Sequence, residues 1–204
     1  MNTERRRNTP LAFGPSRRAV VGPPWDSQRY PFRLAETDET EDGSMELAIL
    51  LSLSVAAVAT GMVAGLFFVF SCAVMPALRR VSDPVFIEVM QRINVAILNG
   101  WFLLVFLGAP VATALTAVLA LVRGERGILI PVVAALVLYL AMTAITRLFN
   151  IRMNDELDRS GPGGGTDPAA VRRRFEEPWT GWNTVRTLLS TASAACLAWT
   201  LALL

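Results

Sequence analysis

The side chains able to do chemistry in this sequence are amides, guanidinium groups and indoles, and they gather at the edges of long apolar runs. Gln91 and Asn94 stand three apart, with Asn99 a little further along. Arg147, Asn150 and Asn154 fall at i, i+3 and i+7, and Asn183 and Arg186 repeat the spacing of three beside Trp179 and Trp182. On a helix such spacings put each set along one face. Histidine is absent, which removes the commonest neutral-pH base and the commonest transition-metal ligand. Any chemistry must then use carboxylate, arginine, amide or aromatic groups. Metal-ligand spacings, a phosphate-binding glycine loop and a Ser/His/Asp set are all missing from the sequence.

Polar groups in lipid are expensive unless paired, so these faces must turn inward and bond one another or a ligand. One reading is a pocket at one membrane face, apolar in its floor, with amides and arginines at its rim. The other is structural: an interhelical amide network, Trp179 and Trp182 in an aromatic belt, and Arg147 and Arg186 snorkelling to headgroups. Asp155, Glu156 and Asp158 are most simply solvated residues just after an apolar run.

The elements that must position these groups follow from composition. With 53% hydrophobic residues and a mean hydropathy of +0.44 in 204 residues, the chain is too apolar for a water-facing surface. All 19 basic residues are arginine, the net charge is only +2, and no continuous basic face forms, so nucleic acid is a poor partner. Four apolar runs, about 46–70, 95–122, 128–149 and 187–204, each approach the roughly 20 residues needed to span a bilayer. The expected fold is all-α, a four-helix transmembrane bundle. Residues 1–44, rich in arginine, acids and proline, are expected to be a disordered tail without a secretory signal, and Met45 stands as a candidate native start.

Arginine sets the orientation. Arg79, Arg80 and Arg92 lie between the first two runs, and Arg152, Arg159, Arg172, Arg173 and Arg174 between the last two, against Arg123 and Arg126 in the middle. The positive-inside rule puts the first and third connections in the cytoplasm and both termini outside a cell membrane. Ser82, Asp83 and Pro84 read as a helix start. The amphipathic stripe of Phe86, Val89, Met90, Ile93 and Ile97 is expected to continue without a break into the second span. Gly161 to Gly165 reads as a flexible break, and Asp167 with Pro168 as the start of a short basic helix ending before Pro178. Gly61 and Gly65 form a GxxxG, which suits close helix packing within the chain or a homo-oligomer. Phe67, Phe68 and Phe70 read as core or lipid-facing packing. Cys72 and Cys196 fall at different membrane depths, so a disulfide is not expected.

The runs FSCAVMPAL (Phe70 to Leu78), MQRIN (Met90 to Asn94), FNIRMNDEL (Phe149 to Leu157) and WTGWNTVRT (Trp179 to Thr187) together resemble the anthrone oxygenase-like family of small four-helix membrane proteins. The resemblance covers roughly residues 46–204. It implies oxygenation of a hydrophobic polycyclic aromatic, an anthrone, to a quinone without a cofactor. In that reading Arg147 and Arg186 stabilise an enolate and Asp155 acts as base. Gln91, Asn94, Asn150, Asn154, Trp179, Trp182 and Asn183 bind and orient the substrate. The alternative is a non-catalytic membrane binding, scaffold or transport-accessory protein whose polar cluster is structural. A pocket open on one side favours an enzyme or binder, and a continuous polar path favours transport.

Overall fold

The computed structural model describes residues 31–204, with side chains from Asp42 onward, and within them every regular element is helical. Contacts divide the chain into Met1–Thr40 and Glu41–Leu204. Of the first unit only the stretch from Pro31 is described, as helix, and all packing below belongs to the second. The tail expected over residues 1–44 lies outside the described residues up to Tyr30. From Pro31 the described backbone is helix.

Helix α1 (Pro31–Val69) runs through a π turn (Phe70–Val74) into α2 (Met75–Leu78). After α3 (Asp83–Ala96) and α4 (Gly100–Arg123), α5 (Arg126–Ile145) passes through a second π turn (Thr146–Asn150) into α6 (Ile151–Arg159). A short 3-10 turn (Pro162–Gly164) precedes α7 (Pro168–Leu201). Three stretches are long and apolar enough to cross a membrane: Asp42–Leu78, Gly100–Arg123 and Arg126–Arg159. The fourth expected span is the second half of α7. At a rise of about 1.5 Å per residue, the helix from Thr187 to Leu201 is about 22 Å long, short of the roughly 30 Å hydrocarbon core, and serines and threonines dilute it.

Residues from four helices interlock in the bundle. Leu53, Ala56, Val132, Ala135 and Leu197 join α1, α5 and α7, while Val63, Phe67, Ala109, Tyr139 and Met142 join α1, α4 and α5. Alanines at the crossings allow close approach, and hydroxyls supply local glue. Thr116 donates to Ser52 at 2.9 Å, and Ser193 donates to the Ala135 carbonyl at 2.8 Å. At one end a second core forms from Phe70, Met75, Phe86, Ile87, Met90, Leu157, Phe175 and Trp179, packing α2, α3 and α6 around the start of α7. The first and third connections therefore meet at the same end.

Three sequence expectations change here. The helix carrying Gln91 and Asn94 does not continue into the second span. It stops at Ala96, and Asn99 caps a new helix by accepting the Phe102 N–H at 3.0 Å. Helix α7 does not end before Pro178 but passes through it, held on either side by buried Phe175 and Trp179. The glycines of residues 161–165 form a packed turn. Gly164, at φ 88°, lies so close to α3 that an added Cβ would meet the Ile87 side chain at 2.5 Å.

Candidate functional site

Where the bundle meets this end core, the helices part around a cavity of about 620 Å³. That volume lies within the usual range for small-ligand sites, about 300–1,000 Å³. One wall is apolar: Ile93, Ile97 and Leu98 from the end of α3 and the break behind it, then Phe102, Leu103 and Phe106 from α4. The opposite wall carries Asn150, Asn154 and Asp155 from the second π turn and α6, with Trp179 and Arg186 from α7.

Arg186 is 6% exposed and lacks a carboxylate within ion-pair distance among the described residues. Its guanidinium carbon lies 4.3 Å from the centre of the Phe67 ring and 5.4 Å from that of Trp179, so two aromatic faces flank the cation. One Nη donates to Asn183 Oδ1 at 2.8 Å, and the buried Nε has no partner among the described residues. An orphaned donor on a buried cation carries a desolvation cost, and the Arg186 side chain borders the cavity. The arrangement is suited to hold a negative oxygen at the end of an apolar cavity.

The amides divide by what they already bond. Gln91 lines the cavity, but its Nε2 amide donates to the carbonyls of Leu157 at 2.9 Å and Gly161 at 3.0 Å, tying α3 to the glycine turn. Asn154 lines it too and accepts the Trp179 indole N–H at 2.8 Å, which fixes both side chains. Asn150 is 1% exposed, with a long 3.5 Å contact to the Trp179 carbonyl and an Oδ1 that has no partner. Asn94 lines the wall and forms no hydrogen bond to another described residue. Asp155 is exposed and stands at the cavity's edge.

Three expected site residues lie elsewhere. Asn183 is fully buried behind the cavity, donating to the Phe67 carbonyl at 2.9 Å and to Ser71 Oγ at 2.8 Å while it accepts from Arg186. It holds the guanidinium rather than facing a ligand. Trp182 stacks on Phe149, centroids 3.8 Å apart, away from the cavity. Arg147 is exposed. The stripe of Arg147, Asn150 and Asn154 assumes regular α geometry, and the π turn at Thr146–Asn150 breaks it. The wider turn swings Asn150 inward and leaves Arg147 outside.

Reading the sequence also missed part of the site. Phe67 and Phe70 line the cavity, whereas Phe68 is 57% exposed. Their spacing of i, i+3 carried that signal. Phe102 and Phe106, four apart and stacked at 5.4 Å, were hidden in a uniformly apolar run. Gly61 and Gly65 face outward on α1, where an added Cβ would meet nothing within 4 Å, so they bring no described helix close.

Fold and site together define an all-helical membrane-type protein with a ligand-sized, arginine-tipped cavity at one end of its bundle. Residues 101–196, just under half of the chain, match the family model of the anthrone oxygenases, consistent with the assignment that the four sequence motifs suggest. The matched segment runs from α4 through most of α7 and includes Asn150, Asn154, Trp179 and Arg186. No curated protein and no solved structure matches the chain.

Proposed function

We propose that this protein is a four-span integral membrane protein whose cavity binds a hydrophobic polycyclic aromatic and oxygenates it without a cofactor, converting an anthrone-type methylene to a quinone carbonyl. The observation that carries the reading is Arg186: a buried cation with an orphaned donor, flanked by aromatic faces, at an apolar cavity. The family match to residues 101–196 supports the same chemistry. In the membrane, the arginine-rich first and third connections face the cytoplasm.

Asp155, at the cavity's edge, takes the methylene proton, and the carbanion's charge delocalises onto the ring ketone oxygen. Arg186 then stabilises that enolate as an oxyanion hole does. The carbanion passes one electron to molecular oxygen, and the two radicals combine at the former methylene carbon as a peroxide. Loss of water leaves the second carbonyl, so one O2 is consumed, one oxygen atom enters the product and the other leaves as water. Asn94, Asn150 and Asn154 orient the substrate's polar edge, with Trp179 against its ring face.

Oxygen-electrode measurements on purified protein given anthrone test this directly. The native chain is expected to consume oxygen well above an empty-detergent control, while Arg186→Gln and Asn94→Ala are slower. Equal rates in all samples would end the catalytic proposal. If anthrone binding remained saturable in that case, the protein would be a binder.

A further inference from the structure

The wall of the cavity formed by α4 differs from the rest of that helix. Between Gly100 and Gly108 no residue is buried, whereas Ala109, Thr113, Thr116 and Ala120 further along are all buried against the bundle. Pro110 separates the two parts. Lacking an N–H, it leaves the Phe106 carbonyl, four residues earlier, without its helical donor. That carbonyl accepts instead from the Tyr139 hydroxyl at 2.7 Å, and the Phe106 and Tyr139 rings lie 6.0 Å apart. Ahead of Gly100–Phe106, the arm of α4 before the proline, the helix is interrupted between Ala96 and Gly100. Val95, Leu98 and Trp101, around that break, are 73%, 66% and 81% exposed.

We infer that the stretch Gly100–Phe106 is a gate through which an apolar ligand dissolved in the bilayer reaches the cavity sideways, hinged at Pro110 and latched by the Tyr139 hydroxyl. A break before the arm and a proline after it let it swing as a unit. The side that opens is lined by Ile97, Leu98, Phe102 and Leu103, with no charged group among them, so it fits an acyl-chain environment and not water. The inference rests on the cavity as the ligand site, and it does not depend on any oxygen chemistry.

Spin labels read it in a Cys72→Ser, Cys196→Ala background reconstituted in phosphatidylcholine vesicles. A label at Leu98→Cys is expected to relax more with oxygen, which concentrates in lipid, than with a water-soluble nickel chelate. The reverse order would overturn the lateral route. Labels at Trp101→Cys and Arg152→Cys, both exposed, report the arm's distance from α6. Without ligand, two distance populations are expected. Anthracene dissolved in the vesicles should enrich the shorter one, Tyr139→Phe the longer one, and Pro110→Ala, which restores a helical donor for Phe106, should leave one. A single distribution unchanged by anthracene and by either substitution would overturn the gate. If Tyr139→Phe fails to fold, Pro110→Ala and anthracene still decide it. Failure of oxygen uptake would leave these distances untouched, so the two proposals fail separately.

Discussion

Two arginines of helix α7 sit in opposite surroundings. Arg172, with its side chain 13% exposed, donates to Glu176 at 2.7 Å, to Asp83 at 2.9 Å and to the carbonyls of Val81 and Leu78, and it lies 4.5 Å over the Phe86 ring. Burial works against its charge, and the bonds to Glu176 and Asp83 more than restore it, so its pKa lies above the ordinary arginine value. Arg186 has one amide, two ring faces and an idle Nε. A buried cation surrounded by its own carboxylates is a lock, here closing α7 onto the loop before α3. One with an idle donor beside a cavity has no carboxylate to lock it in place.

The sharpest way to break this contrast is at Arg172. Replacing it with Met removes its bonds to Asp83, to Glu176 and to two carbonyls and leaves Glu176 to Arg79 alone, and a hydrogen bond to a charged group is typically worth about 1.5–3 kcal/mol. The thermal unfolding midpoint in detergent should fall steeply. An unchanged midpoint would mean that Arg172 is no lock. Arg186→Gln should behave in the opposite way, holding or raising the midpoint because an incompletely satisfied charge leaves the interior. Anthrone-dependent oxygen uptake should fall about 100-fold, the scale of removing one oxyanion donor. A collapsed midpoint would make Arg186 a structural cation like Arg172.

Much of the frame was legible in the sequence because hydropathy is a property of long windows. The apolar run from Glu46, the run to Val122 and the run from Ile128 correspond to three helices able to cross a membrane. Backbone breaks are different. Asn99 and Gly100 carry an ordinary cap signal, but an uncharged run from Val95 to Val122 masks it, since hydropathy does not register a change of helix axis. The π turns left no mark at all: whether Thr146–Asn150 widens depends on what Asn150 meets across the bundle, which is tertiary. The gathering of Asn94, Asn150, Asn154, Trp179 and Arg186 was readable from their shared depth. Which amides remain open was not, because Gln91 is taken up by the glycine turn and Asn183 by Phe67, Ser71 and Arg186.

Asn183 sharpens the contrast at a smaller scale. With its Nδ2 held by the Phe67 carbonyl and Ser71, its Oδ1 is a fixed acceptor that aims the Arg186 guanidinium. Asn183→Ala removes the aim and keeps the charge. Uptake should therefore fall about 10-fold, matching the loss of one hydrogen bond to a charged group at roughly 1.5 kcal/mol. Most of that loss should fall in kcat, because the cavity wall is unchanged. A loss as large as that of Arg186→Gln would mean that Asn183 contacts the substrate itself.

The smallest effect belongs to Arg147. Regular helical spacing groups it with Asn150 and Asn154, and on that basis it would share the oxyanion role. The π turn separates them: Arg147 is exposed on the outer side of the helix, while Asn150 is buried against α7. A charge in that position resembles neither Arg172 nor Arg186, since among the described residues it bonds no carboxylate, and it lies outside the cavity's lining. Arg147→Ala should therefore shift stability by no more than about 0.5 kcal/mol, as surface changes usually do, and leave oxygen uptake unchanged. An uptake loss approaching that of Arg186→Gln would mean that the stripe re-forms when ligand binds, with the π turn relaxing to α geometry. The turn would then be a moving part of the site.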